Sequence, residues 1–208
     1  MRQPSVFNRE FKHSNFWQNM FYLTQLANLI NLHFGRRSGF FRTALACLKD
    51  FFGAYSEFRD TDLAHAKRFI FVCNGNTCRS AYAEAKAQSL GLNAISCGLQ
   101  ADNNAFANEL AIQTALRRHI DLSCHRTKNI RNIKIEQGDV LLAFEPCQAN
   151  DILKLTEDPK PKVSLVGLYL DFPLPLIQDP YGLSDAYFDK CFDRIDDVLK
   201  NIKDKTVN

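Results

Sequence analysis

No run of about 18 apolar residues occurs in this 208-residue chain, so no transmembrane helix is predicted. A signal-peptide core is also missing. Arg9, Glu10 and Lys12 precede an apolar stretch that Gln18, Asn19, Thr24, Gln25 and Asn28 interrupt. There is no Cys-x-x-Cys pair. The seven cysteines, Cys47, Cys73, Cys78, Cys97, Cys124, Cys147 and Cys191, are scattered and odd in number. That argues against a disulfide framework and for a reduced, cytoplasmic setting. No cysteine–histidine cluster has zinc spacing, so no metal is predicted. Nine glycines and seven prolines, without a period, exclude a collagen-like or low-complexity chain. A net charge of only +3 gives no whole-chain case for nucleic-acid binding. What is there is ordinary for a globular protein: 46% hydrophobic and 24% charged residues, enough to bury a core and exclude wholesale disorder.

Composition shifts near residue 68. Residues 1–68 carry a net +5 and thirteen of the 24 aromatics, while the remainder nets −2. The chain is therefore divided into a helical N-terminal extension, 1–67, and a second unit, 68–208, with Arg59–Lys67 as a polar connector. The extension reads as a helical hairpin. Asn15 and Gln18 resemble a capping box at the start of a first helix. Phe16, Met20, Leu23, Ala27, Ile30 and Phe34 follow at helical spacing, and Gly35 is a C-cap. The second helix sets Phe41, Ala44, Leu45, Leu48, Phe52 and Tyr55 on one face, with Arg42, Lys49 and Asp50 off it. These stripes predict a hairpin that covers the second unit or self-associates, with no part in the chemistry. Arg36, Arg37, Arg42 and Lys49 around Phe40, Phe41 and Leu45 form only a modest basic amphipathic pattern, so membrane-surface contact is not expected.

From Arg68 onward strands and helices alternate. Strands are predicted at Phe69–Cys73, Asn93–Cys97, Asp139–Phe144 and Val163–Leu170. Helices are predicted at Ser80–Leu90, Ala107–His119, Gln148–Leu155 and Ser184–Ile202, the last with Phe188, Cys191, Ile195 and Val198 inward. This pattern implies an α/β fold, a four-stranded parallel sheet with helices on both faces. In such sheets ligands bind at the carboxyl ends of the strands.

The informative stretch lies at such an end: Cys73-Asn74-Gly75-Asn76-Thr77-Cys78-Arg79-Ser80, where a strand stops and a helix starts. A loop there can point backbone N–H groups inward, and the helix N-terminus adds a positive dipole end. Arg79 offers a planar guanidinium that holds two phosphate oxygens. The same field favours a thiolate at Cys73, a nucleophile for phosphoryl transfer.

This stretch, with Ala83-Glu84-Ala85 after it, closely resembles the signature of the low-molecular-weight protein tyrosine phosphatases. Ser96-Cys97-Gly98 resembles the family's Ser-Ala-Gly. Ile120-Asp121-Leu122-Ser123 before His125-Arg126, Asp139-Val140-Leu141-Leu142, and Asp179-Pro180-Tyr181-Gly182 extend the likeness from Phe69 to the C-terminus. The resemblance implies phosphotyrosine hydrolysis through a phosphocysteine, without cofactor or metal. It implies Cys73 as nucleophile, Arg79 as phosphoryl clamp and Asp179 as general acid. Asn74, Gly75, Asn76, Thr77, Cys78 and Ser80 are implied to line the phosphate cradle, Asn76 bracing it and Ser80 donating toward the thiolate. Tyr181 is the aromatic wall, and Cys78 a redox partner able to form a reversible disulfide with Cys73. Ala81-Tyr82, Phe144 and Gln148 depart from the family's usual residues, and Leu99–Asp102 lacks an aromatic found beside the substrate ring in many members.

Two other readings compete. An arsenate reductase on the same fold shares the anion loop but needs two further redox cysteines near the third strand, where only Cys147 stands. A non-catalytic phosphoprotein-binding module would require loss of the nucleophile or acid. Bacterial members often reverse autophosphorylation of tyrosine kinases of exopolysaccharide export, so the resemblance implies such a kinase as a partner.

Overall fold

The computed structural model describes residues 7–59, 61–156 and 161–207, with side chains from residue 20 to residue 206 in those spans. Helices α1 (Phe7–Phe34) and α2 (Arg37–Phe51) precede the sheet. Then come β1 (Arg68–Cys73), α3 (Arg79–Ser89), β2 (Ala94–Gly98), α4 (Glu109–Leu116), β3 (Asp139–Ala143), α5 (Pro146–Leu155), β4 (Lys162–Leu165) and α6 (Asp185–Val207). The four strands pair in parallel in the order β2-β1-β3-β4. The expected α/β sheet is therefore present, and the C-terminal ends of β1, β2 and β3 meet at one edge, with Cys73 opposite Gly98 and Val72 opposite Ala143.

Side chains alternate across each strand, and both faces are covered, which is why the strands read as continuous apolar runs. Phe69 and Phe71 of β1, with Val140 and Leu142 of β3, enter a core shared with α3, α4 and α6. Ile70 and Val72, with Leu141 and Ala143, enter the opposite core with Ala149 and Ile152 of α5 and Phe58. Each fully buried Phe or Leu contributes roughly 1.5–3 kcal/mol by leaving water. Tyr82, one of the departures from the family pattern, stacks flat on Phe192 at 3.8 Å and donates from its hydroxyl to Asp196. Phe188, Cys191, Ile195 and Val198 of α6 are buried as predicted.

Three expectations need correction. Helix α1 begins by Phe7, so Asn15 lies inside it; residues 7–14 contain no glycine or proline to stop the helix. The fourth strand ends at Leu165, and Val166–Tyr169 is a 3₁₀ turn, because the chain doubles back and Leu174 N–H donates to the Gly167 carbonyl. The connector is not purely solvated: Leu63 is buried in the α6-side core.

The hairpin also docks by a face other than the expected one. Gly39, Thr43 and Ala46 are the buried residues of α2, whereas Phe41, Leu45, Leu48 and Phe52 are exposed. Gly39 is required by the turn from α1: a Cβ there would stand 2.1 Å from the Phe34 carbonyl oxygen, whereas Gln178 Cγ, at 3.4 Å, is at ordinary contact distance. Arg194 of α6 donates to the His33 carbonyl at the end of α1. Phe21, Leu23, Leu26 and Leu29 of α1 remain exposed. Arg42 turns toward the sheet domain, which weakens the basic pattern read around Phe40 and Phe41.

Candidate active site

Loop 74–78 leaves the end of β1 and enters α3 at Arg79. Cys73 is buried at its base, its Sγ 3.0 Å from Ser80 Oγ and 3.2 Å from the Asn76 backbone nitrogen, which donates to it. Asn76 adopts a left-handed φ of 56°, a conformation that asparagine tolerates better than most residues. Its buried side chain holds the loop shut: Nδ2 donates to Ser80 Oγ and to Ser96 Oγ, and Oδ1 accepts from Lys128 N. Ser96 in turn donates to Glu84. His125 Nε2 lies 2.9 Å from the Asn76 carbonyl, and burial lowers its pKa, so its neutral form donates there.

Neighbouring backbone completes the frame. Leu99 N and Gln100 N donate to the carbonyls of Cys73 and Asn74, and Asn108 N to that of Thr77. Gly98 makes this closeness possible: a Cβ would lie 2.6 Å from the Asn74 carbonyl oxygen and 2.9 Å from Asn76 N. Gly75 is different, since a Cβ there would meet only Thr77 Oγ1, at 3.6 Å.

Arg79 is 1% exposed, and its nitrogens divide their work. Nη1 donates to Glu145 Oε1 and to the Ile177 carbonyl, both at 2.8 Å. Nε and Nη2 have no hydrogen-bond acceptor among the described residues. Nη2 lies 2.9 Å from Asp179 Oδ2, a charge contact without the alignment a hydrogen bond needs. Burial by itself pulls the guanidinium pKa down, but the charges of Asp179 and Glu145 more than offset it and hold the pKa above the usual arginine value. The result is a permanently charged fork with one edge anchored and the other without hydrogen-bond acceptors, an edge whose chemistry suits oxyanion oxygens.

Asp179, on the loop before α6, is thus brought to Arg79, with its side chain 38% exposed. Tyr181 N donates to Asp179 Oδ1, while the Tyr181 ring is 63% exposed at the rim. Asn74 is exposed and reaches Gln100. Thr77 is half-buried, its Oγ1 3.6 Å from Cys78 Sγ. Cys78 is buried, and burial raises its pKa, so it rests as a protonated thiol. Cys147, which the reductase reading would need, is exposed at the start of α5, and Phe144 beside it is fully buried.

The sequence reading gave no site role to Glu145, Gln148, Gln178 or Arg42, although it named Gln148 as a departure from the family pattern and Arg42 in the basic pattern of α2. Gln148 Oε1 accepts from Phe144 N, and its Nε2 faces Glu145. Glu145 stands just past the carboxyl end of β3, a position the ligand-site rule for parallel sheets could have flagged.

A buried guanidinium fork over a cysteine at the base of a strand–loop–helix turn is the arrangement of cysteine-dependent phosphatases. Residues 68–208 match the family model described as low molecular weight phosphotyrosine protein phosphatase, and the chain belongs to that family. A protein-arginine-phosphatase of Bacillus subtilis is 28% identical over 139 residues, covering 64% of this chain and 92% of the relative. A probable low molecular weight protein-tyrosine-phosphatase, EpsP, of Ralstonia nicotianae is 29% identical over 131 residues, 62% of this chain and 88% of its own length. The crystal structure of the tyrosine phosphatase Wzb from Escherichia coli K30 in complex with sulphate superposes with a TM-score of 0.60 at 28% identity, over 67% of this chain and 98% of that one. Among the described residues no helix is long and apolar enough to cross a membrane.

Proposed function

We propose that this protein hydrolyses phosphotyrosine in proteins through a phosphocysteine intermediate. The observation that carries the reading is the second edge of Arg79, where Nε and Nη2 lack hydrogen-bond acceptors and Nη2 meets only the charge of Asp179, together with a buried Cys73. Cys73 Sγ attacks phosphorus and the bond to the phenolic oxygen breaks. Ser80 Oγ and Asn76 N stabilise the sulfur's negative charge before attack. Arg79 and the inward N–H groups of residues 74–80 hold the three phosphoryl oxygens as charge redistributes. Incoming phosphate displaces Asp179 from Nη2 and leaves its carboxyl facing the departing oxygen. Asp179 gives that oxygen a proton and later takes one from the water that attacks phosphocysteine, releasing phosphate.

Within this reading the partner is a phosphotyrosyl protein, specifically an autophosphorylated bacterial tyrosine kinase of exopolysaccharide export. The cytoplasm is the compartment that suits the scattered free cysteines.

One observation favours a second substrate, phosphoarginine. Residues 74–78 carry no aromatic and Tyr181 is largely exposed, while Thr77 brings a half-buried hydroxyl to the loop. Likeness to a protein-arginine-phosphatase agrees with that reading. The test is release of phosphate from matched phosphotyrosyl and phosphoarginyl peptides by wild type and Cys73→Ser. Faster turnover of phosphotyrosine, abolished by Cys73→Ser with phosphate binding retained, is expected. The reverse preference transfers the function to phosphoarginine, and turnover surviving in Cys73→Ser overturns both.

A further inference from the structure

We infer that Arg42, in the N-terminal extension, is a positioning residue for the phosphate site, acting through Glu145 and Gln178; this rests on the phosphatase reading. Arg42 lies outside the matched domain, on α2, yet its guanidinium spans two supports of the catalytic groups. Nη2 donates to Glu145 Oε2 at 2.5 Å, and Nη1 donates to Gln178 Oε1 at 2.9 Å. Glu145 uses its other oxygen to hold Arg79 Nη1 at 2.8 Å. Gln178 immediately precedes Asp179, and its carbonyl accepts from Tyr187 Oη. One side chain of the extension therefore grips both the carboxylate behind the phosphoryl clamp and the residue next to the proposed acid.

The physical effect follows from the charges. Glu145 is almost fully buried between two guanidinium groups. A carboxylate held at both oxygens has one orientation, and it fixes the plane of Arg79, whose buried Nε and Nη2 are left without hydrogen-bond acceptors. Without Arg42, Oε2 loses its charged donor, and the buried carboxylate has reason to turn toward solvent or draw Arg79 with it. Gln178 loses its side-chain tether at the same time and keeps its backbone bond to Tyr187; the lost tether loosens the approach of Asp179. The planar fork is needed for this, because its two N–H edges serve Glu145 and Gln178 together, whereas a lysine ammonium is a point donor. Gly39, three residues earlier on α2, also lies beside the Gln178 side chain. Lys49, on the same helix and exposed, has no such grip and serves as the comparison.

The experiment uses the full chain, with Arg42→Ala, Arg42→Lys and Lys49→Ala measured beside wild type. Read out are kcat and KM on p-nitrophenyl phosphate, inorganic phosphate affinity by calorimetry, and the melting temperature. Arg42→Ala is expected to lower kcat/KM by about tenfold and to weaken phosphate binding several-fold, the scale of a small misplacement of catalytic groups. Arg42→Lys should recover part of each loss, and Lys49→Ala should match wild type. Arg42→Ala combined with Glu145→Gln should lose little more than Glu145→Gln by itself, because both act on one grip. Equal constants for Arg42→Ala and Lys49→Ala, or fully additive losses in the double variant, would overturn the inference. Should Arg42→Ala melt below the assay temperature, Arg42→Lys and Arg42→Gln decide by the same two constants. A wild type that binds phosphate but turns over no aryl phosphate counts against the phosphatase reading, while the calorimetry still reports on Arg42.

Discussion

Arg79 Nη2 and Asp179 Oδ2 stand 2.9 Å apart at the mouth of the loop, although about a hundred residues separate them in sequence. The approach is built by backbone. Ile177 N donates to the Phe144 carbonyl at the end of β3, and the Ile177 carbonyl accepts from Arg79 Nη1. The segment carrying Asp179 is thereby stitched to both the end of β3 and Arg79, which brings the proposed acid to the proposed phosphoryl clamp.

Replacing Asp179 by Ala should slow turnover by on the order of 10²–10⁴-fold, the usual worth of a positioned proton donor. The loss should shrink as the phenol becomes more acidic, because a good leaving group departs without a proton. Steady-state rates on a series of substituted phenyl phosphates measure this. An equal loss across the series would mean that Asp179 acts only through its charge on Arg79.

Gly98→Ala should damage the cradle without touching a reacting atom. The added Cβ meets the Asn74 carbonyl at 2.6 Å, and that oxygen is already bound by Gln100 N, so neither side yields easily. We expect a stability loss of about 1–3 kcal/mol, typical of overpacking, together with weaker phosphate binding. Denaturant unfolding and phosphate titration check the two effects separately.

His125 gives the fold a defined acid limit. Burial lowers its folded-state pKa below the ordinary 6.5, so the unfolded chain takes up a proton first as pH falls. Its contribution is complete above about pH 6.5 and is lost as pH drops from there toward the folded-state value. Stability measured between pH 8 and pH 5 should fall on the acid side, and His125→Gln should flatten that part of the profile. An unchanged slope in the variant would assign the acid sensitivity to other groups.

Peroxide should inactivate the enzyme reversibly. A sulfenic acid formed at Cys73 condenses with the Cys78 thiol, giving a disulfide and water, and added dithiothreitol restores both thiols. Cys78 is buried and its pKa is raised, so the condensation should be slower than with an exposed thiolate. In Cys78→Ala, reactivation should fail once Cys73 passes to sulfinic acid. Mass spectrometry that finds only Cys73 sulfinic acid in the wild type, with no linked peptide, would reject the redox role.

Much of the sheet domain was legible in the chain. Buried parallel strands read as short apolar runs, and the helices between them carry one apolar face each, so the order of elements follows from local pattern. Boundaries were less legible. The end of β4 depends on a bond between Leu174 N and the Gly167 carbonyl, and nothing in the run Val163–Leu170 announces that partner.

The sequence by itself determined the class of the fold and singled out the stretch proposed as the anion loop. Cys73, Arg79 and Ser80 sit in one short stretch whose chemistry is local, and a strand–loop–helix turn needs no distant residue to form an oxyanion cradle. Tertiary structure decided which groups support it. Glu145, Gln178 and Arg42 come from three separate segments, and their roles exist only after the sheet brings β3, the loop before α6 and helix α2 together. It also decided how the extension docks. Apolar spacing pointed to the face of α2 with Phe41, Leu45 and Leu48, but the small face with Gly39, Thr43 and Ala46 is the one that packs. Hydrophobic periodicity marks a face able to leave water, but which face of a helix is covered depends on the shape of its neighbours, and that shape is absent until the rest of the chain has folded.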